Sequence, residues 1–367
     1  MNMHLIHLLI LLLMAGVPYS QVPSPKDAYQ EEFFIKRGTN ISHWLSQSKR
    51  RGADRREFFQ EEDVAFLAGL WFDHIRIPID EEQMWDENGK KEQEAFALLH
   101  EALGWCEKHE LKAVVDLHIL RSHHFNEGDK PLWTDPAAQE RFYQCWRDLS
   151  EELGKYPVGM VAYELMNEPV AEDPADWNRL VAKATAVIRE NEPERKIVIG
   201  SNMWQKADTF DDLRVPENDP HIILSFHMYE PMLVTHYKAS WTGIKDYAGP
   251  VNYPGVIIKD EDWQSLDEPF RTVMENQKRF YDKATIRKHF EKPIRLSKEL
   301  GLPLYCGEWG AYPTTPEDVR YQWYQDVKDV LEENGIAWAT WDYKGGFGII
   351  RNGQKDEKLI DVLLANF

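Results

Sequence analysis

Val161-Ala162-Tyr163-Glu164-Leu165-Met166-Asn167-Glu168-Pro169 is a mostly apolar run of strand length that ends on an amide, a carboxylate and a proline. Residues 161–166 read as a strand buried on both faces, and the proline that follows cannot continue a sheet ladder. Helical periodicity lies on either side, over 135–153 and 175–191. The first of these opens on Thr134-Asp135-Pro136, a capping residue followed by proline at the first helical position. A strand set between two amphipathic helices is the repeating unit of a parallel sheet. Working outward, further strands are predicted at 35–40, 74–79, 113–118, 196–200, 222–228, 304–307 and 337–341. Helices are predicted at 61–70, 92–109, 207–213, 286–300, 316–334 and 359–365. Eight strands alternating with eight helices predict an α/β fold, a single-domain (β/α)8 TIM barrel.

The chain has 367 residues, 43% of them hydrophobic and 12% aromatic, which is enough for one barrel with a large core. A formal net charge of -19 argues against a nucleic-acid partner, since phosphate binding needs clustered Lys and Arg. Fourteen Trp and fifteen Tyr suit a cleft that stacks on the flat faces of sugars. Residues 1–20 carry an apolar stretch, Leu8 to Ala15, too short to span a bilayer, and read as a signal peptide. Residues 21–30 read as a flexible leader and 31–367 as the catalytic domain. Secretion or periplasmic export, no membrane span and a monomeric state are the corresponding expectations. Cys106, Cys145 and Cys306 lack metal-site spacing and read as small buried hydrophobes. The connection over 230–282 is far longer than usual and holds Tyr237, Trp241, Tyr247, Tyr253 and Trp263. It is predicted to be a binding loop folded over the barrel mouth.

A (β/α)8 barrel displays reactive groups at the C-terminal ends of its strands. Those ends carry Asn40, His43 and Trp44; Arg76; Asp116 and His118; Asn167 and Glu168; His227 and Tyr229; Glu308 and Trp309; and Trp341 and Asp342. Glu168 and Glu308, after the fourth and seventh strands, face each other across the axis. Two facing carboxyls are the minimum machinery for glycoside hydrolysis. A nucleophile must stay ionised, and Arg76 with Tyr229 would supply a cation and a hydroxyl donor to Glu308. The acid must keep its proton, which burial and a second carboxylate would secure for Glu168. His118 and His227 would adjust hydrogen bonding, Asn167 would offer its amide to a sugar hydroxyl, and Trp341 a flat face to a pyranose ring. His43, Trp44, Trp204, Trp241 and Trp309 are predicted to line an open groove. His118, His123, His124 and Asp116 lie close in sequence but lack metal-ligand spacing, so no metal or organic cofactor is expected.

These pieces resemble glycoside hydrolase family 5, the cellulase and mannanase family. The resemblance rests on Arg37-Gly38-Thr39-Asn40, His74-Ile75-Arg76-Ile77-Pro78, Asp116-Leu117-His118, Asn167-Glu168-Pro169, His227-Met228-Tyr229, Gly307-Glu308-Trp309-Gly310 and Trp341, in that order along nearly the whole mature chain. It implies Glu168 as acid/base, Glu308 as nucleophile, and Arg76, His118, Asn167, His227, Tyr229 and Trp341 around them. It also implies retention of anomeric configuration by double displacement on a polysaccharide or oligosaccharide substrate. An endo-β-1,4-glucanase is the expectation; a β-mannanase, a xyloglucanase or an exo-acting β-glucosidase would carry the same set. A non-catalytic carbohydrate-binding barrel would keep the aromatics and lose a carboxylate or its arginine, and this chain keeps both.

Overall fold

The computed structural model describes residues 32–365, so the segments read as signal peptide and leader lie outside the described residues. Eight parallel strands close into a barrel: β1 (Arg37–Asn40), β2 (His74–Asp80), β3 (Lys112–Ile119), β4 (Val161–Glu164), β5 (Ile197–Gly200), β6 (Ile222–Met228), β7 (Leu304–Trp309) and β8 (Ala337–Thr340). Each pairs with the next, and β8 closes on β1. Outside them run α1 (Glu61–Gly69), α2 (Gln93–Lys108), α3 (Pro136–Leu153), α4 (Pro174–Arg189), α5 (Lys283–His289), α6 (Glu291–Leu300), α7 (Glu317–Glu333) and α8 (Glu357–Leu364). The expected strands are all present, with ends moved by up to two residues. Two helical expectations change. The fifth is only a tight 3-10 segment, Ala207–Asp212, and the sixth divides at Phe290. Pro293 explains the division, because it has no N–H to bond His289 and its ring excludes an unbroken α-helical turn there. The three cysteines are free and buried, as expected.

Strand periodicity places the site. Outward residues such as Ala113, Val115 and Leu117 of β3, or Ile222, Leu224 and Phe226 of β6, join the main core beneath the helices. Inward residues change character along each strand. Near the N-terminal ends Val114, Ala162, Val198, Ile223, Tyr305 and Ala339 form a second apolar cluster, plugged by Phe33 and Ile35. Two residues further on, the same faces carry Asp116, Glu164, Gly200, Ser225 and Gly307, and beyond these His118 and His227. Apart from His74, which meets Tyr305 Oη at 3.1 Å, the barrel interior is therefore apolar at the bottom and ionisable at the top. Register aligns the upper layer, pairing Asn40 with Arg76, Asp116 with Glu164 and His227 with Glu308.

Glu308 would point outward if β7 kept strict alternation after Tyr305 and Gly307. It does not, because β7 carries one extra residue between its pairings with both neighbours: Cys306 pairs with Phe226 and Glu308 with His227, while Cys306 pairs with Trp338 and Trp309 with Thr340. Such a bulge re-aims the next side chain. Gly307 occupies it, packed so closely that a Cβ would lie 3.1 Å from Ser225 Oγ and 3.3 Å from His227 Nε2.

The long connection after β6 forms short helices, Met232–Thr235, Asp260–Gln264 and Glu268–Met274, and a small antiparallel pair of Gly255–Val256 with Phe280–Tyr281. Tyr237, Tyr247 and Tyr253 are buried, with Tyr253 Oη donating to Asp326 of α7 at 2.8 Å, so these tyrosines build the connection rather than line a groove. Trp263 is half-buried. Trp241 alone among these five aromatics is widely exposed, at 55%.

Candidate active site

Arg76 organises the barrel top. Its guanidinium is fully buried and every face of it is used: Nε and Nη2 donate to Glu164 at 2.6 and 3.0 Å, and Nη1 to Asn40 Oδ1 at 2.8 Å and to Glu308 Oε1 at 2.7 Å. Nη2 also reaches Asn167 Oδ1 at 2.9 Å and Asp116 Oδ2 at 3.0 Å. The other oxygen of Glu308 accepts from Tyr229 Oη at 3.0 Å. His227 Nδ1 lies 3.0 Å from Glu168 Oε1 and 3.6 Å from Glu308 Oε2. One oxygen of each glutamate and one nitrogen of His227 lie within 4.8 Å of one another.

Four buried carboxyls crowd this site, and the single guanidinium contacts three of them, Glu308, Glu164 and Asp116, but not Glu168. They cannot all ionise in so dry a place. Burial pushes Glu308 above the usual carboxyl range, opposed by Arg76 and Tyr229. Burial and then the charge of Glu308 push Glu168 much further up. The pair thus divides its protons: Glu308 ionises first and Glu168 keeps its hydrogen. Burial also raises Asp116 to about 7 and lowers His118 to about 3, so the imidazole that sits 2.6 Å from Asp116 is neutral. His227 is likewise held neutral by burial and by Arg76.

Around the carboxyls the walls are flat or polar. His118 and Trp341 lie parallel, 6° apart with centroids 5.6 Å apart, and His43 meets the Trp341 edge at 6.5 Å. The Trp341–Asp342 peptide is cis. Asn167 spends its oxygen on Arg76, and its buried Nδ2 has no hydrogen-bond partner among the described residues. Beyond Tyr229, His236 and Phe347 connect to Trp241 and Tyr312 as an aromatic ledge on one side of Glu308.

Two expected groove residues are elsewhere. Trp44 is fully buried, donates its indole N–H to Arg55 O at 2.9 Å and packs on Phe59. Trp309 is fully buried among Trp323, Tyr324 and Trp338, because the bulge that turns Glu308 inward turns its neighbour outward. His43 and Trp204 remain half-exposed near the mouth. His123 accepts from Val170 N at 3.2 Å and stands apart from His118. One imidazole and two carboxylates, His227 with Glu168 and Glu308, are the group among the described residues with ligand atoms close enough to hold a divalent cation. Sequence reasoning named Asp116 without a role and missed Glu164 and Gln205. A glutamate inside a buried strand was the available signal for Glu164.

The family profile for cellulase (glycosyl hydrolase family 5) matches residues 33–346. Endoglucanase C of Acetivibrio thermocellus is 30% identical over 337 residues, covering 90% of this chain and 98% of that protein. Cellodextrinase A of Ruminococcus flavefaciens is 28% identical, with 83% and 84% covered. Among solved structures, endoglucanase Cel5A of Thermotoga maritima superposes with a TM-score of 0.70 at 25% identity, covering 93% of this chain and all of that one. That enzyme has also been solved with cellobiose and with mannotriose. On the length of the profile match and the likeness to Endoglucanase C, the chain belongs to glycosyl hydrolase family 5, the cellulases.

Proposed function

We propose that the protein is an endo-acting β-1,4-glucanase that retains anomeric configuration, with Glu308 as nucleophile and Glu168 as acid/base. The observation that carries this is the unequal surroundings of two close glutamates: Arg76 and Tyr229 grip Glu308, while Glu168 is left with a neutral imidazole. Retaining enzymes keep their carboxyls about 5 Å apart, inverting ones about 6.5–9.5 Å to admit a water, and an oxygen of Glu168 within 4.8 Å of one of Glu308 supports the short class. In the first step Glu308 Oε attacks the anomeric carbon as the glycosidic bond breaks, and the Glu168 proton passes to the departing oxygen. Glu168, now ionised, then takes a proton from water, whose oxygen displaces Glu308 and releases the sugar. Asn167 Nδ2 is the donor for the 2-hydroxyl, Trp341 and His118 flank the ring, and His43 extends the wall. Neither a metal nor a cofactor enters these steps.

Similarity to endoglucanases supports a glucan as substrate. A second reading, cleavage of short chains, is favoured by the bulky connection after β6 and by the likeness to Cellodextrinase A. The deciding experiment offers cellulose, mixed-linkage glucan, xyloglucan, mannan and aryl cellobiosides, and follows product length and anomer by chromatography and NMR. Internal cuts in β-1,4-glucan with β-anomer released first are expected. Cleavage of short cello-oligosaccharides and aryl cellobiosides with the polymers left intact would establish the second reading, and α-anomer would refute double displacement.

A further inference from the structure

The segment after β5 holds an unusual backbone. Met203, Trp204 and Gln205 are three consecutive non-glycine residues at positive φ, 53°, 64° and 52°. Left-handed turns crowd Cβ against the next carbonyl, so such residues normally occur singly and persist only where their surroundings fix them. What fixes these is the chain that follows Glu168. Trp204 N donates to Pro169 O at 3.2 Å, and Asn202 exchanges two hydrogen bonds with the Ala171 backbone, at 2.9 and 2.8 Å. Glu168 is itself left-handed, with φ 44°.

The turn delivers one side chain into the barrel. Gln205 is fully buried and lies across Gly200, where an added Cβ would come within 2.3 Å of its amide nitrogen, so only glycine leaves room for it. Both ends of the amide are engaged. Oε1 accepts from the backbone N–H of Glu168 at 2.9 Å, and Nε2 donates to Ser225 Oγ at 3.1 Å and to Glu164 Oε1 at 3.3 Å. Glu164 is the carboxylate that grips Arg76 through two nitrogens, and Arg76 holds Glu308. A single amide therefore ties the backbone of one glutamate to the ion-pair chain that aligns the other.

We propose that Gln205 is a positioning residue that sets the Glu168 carboxyl over the glycosidic oxygen, in register with Glu308. The inference rests on the assignment of Glu168 as acid/base. Gln205 gives up no proton: the hydrogen delivered to the leaving oxygen is that of Glu168, as the C1–O bond breaks and the bond from C1 to Glu308 forms. Its loss is therefore felt where the leaving group needs that proton and little where it does not.

The test uses the full chain, with Gln205→Met, which removes both amide bonds, and Gln205→Glu, which keeps the acceptor for Glu168 N. kcat/KM is measured on aryl β-cellobiosides running from dinitrophenyl, which departs unaided, to phenyl, which needs a proton, with Glu168→Gln as reference. For Gln205→Met a loss of about 10²-fold on the phenyl substrate and under about 3-fold on the dinitrophenyl substrate is expected, in line with the usual contribution of general acid catalysis. Gln205→Glu is expected to fall between that variant and wild type on the phenyl substrate. Should Gln205→Met not fold, the slope of Gln205→Glu against leaving-group acidity decides in its place. Equal losses on all leaving groups, or none, while Glu168→Gln shows a steep dependence, would overturn the inference alone. A flat Glu168→Gln series would remove the acid/base assignment, and this inference with it.

Discussion

Glu168 and Glu308 sit in one dry site with one cation, and what separates them is which of the two Arg76 reaches. The consequence is measurable through pH. Burial and the charge of Glu308 hold the Glu168 pKa above its unfolded value of roughly 4.3. Below that unfolded value both states carry the proton and nothing is lost. As pH rises from there towards the folded pKa, the unfolded chain ionises and the folded one resists, so Glu168 subtracts stability across that interval and the full cost remains above it. Glu168→Gln is therefore expected to melt at least about 2 °C higher than wild type at pH 8, with a smaller gain at pH 4, in calorimetric scans. Equal melting at pH 8 would mean that Glu168 bears no such burden. The meeting of the two glutamates at the barrel top was legible in the sequence, since each follows an apolar strand on a barrel. Glu164 was not, because its value lies in two hydrogen bonds to a residue 88 positions earlier in the chain.

At the scale of elements, alternation along strands decides which groups meet. It predicts an inward Asp116 and His118 on β3 and would send Glu308 outward; the Gly307 bulge reverses that. Gly307→Ala would set a Cβ 3.1–3.4 Å from Ser225, His227 and Tyr305, pressing on the imidazole that lies against both glutamates. A kcat reduction of about 10-fold or more with an unchanged far-ultraviolet spectrum is expected, since small misplacements at reacting groups are costly. A variant of wild-type kcat would show that the bulge tolerates a side chain. The same reversal explains Trp309, and Trp44 illustrates the companion error: an aromatic next to a strand end suits a groove or a core equally well until packing is seen. Trp44→Phe would leave Arg55 O without its indole donor. It should lower stability by about 1–3 kcal/mol in urea unfolding and leave KM within about twofold. A large KM change with intact stability would return Trp44 to the groove.

At the scale of the molecule, the barrel was legible because eight buried strands and their helices repeat one pattern, whereas the connection after β6 follows no repeat. Tyr237, Tyr247 and Tyr253 proved to be packing, while the exposed Trp241 is joined through His236 and Phe347 to Tyr229 beside Glu308. If that ledge bears a sugar, Trp241→Ala should raise KM for cellohexaose about 3–10-fold, as loss of roughly 1 kcal/mol of stacking would, and leave aryl cellobioside kinetics unchanged. Equal KM for both substrates in variant and wild type would make the ledge structural. The whole arrangement of barrel, bulge and Arg76 serves one claim, that Glu308 bonds to the sugar. Incubation with a 2-deoxy-2-fluoro-β-cellobioside carrying an activated leaving group, followed by peptide mass spectrometry, tests it directly. A stable adduct of one fluorocellobiosyl unit on the peptide containing Glu308 is predicted; an adduct on Glu168, Glu164 or Asp116, or none while the intact enzyme turns over, would contradict the account.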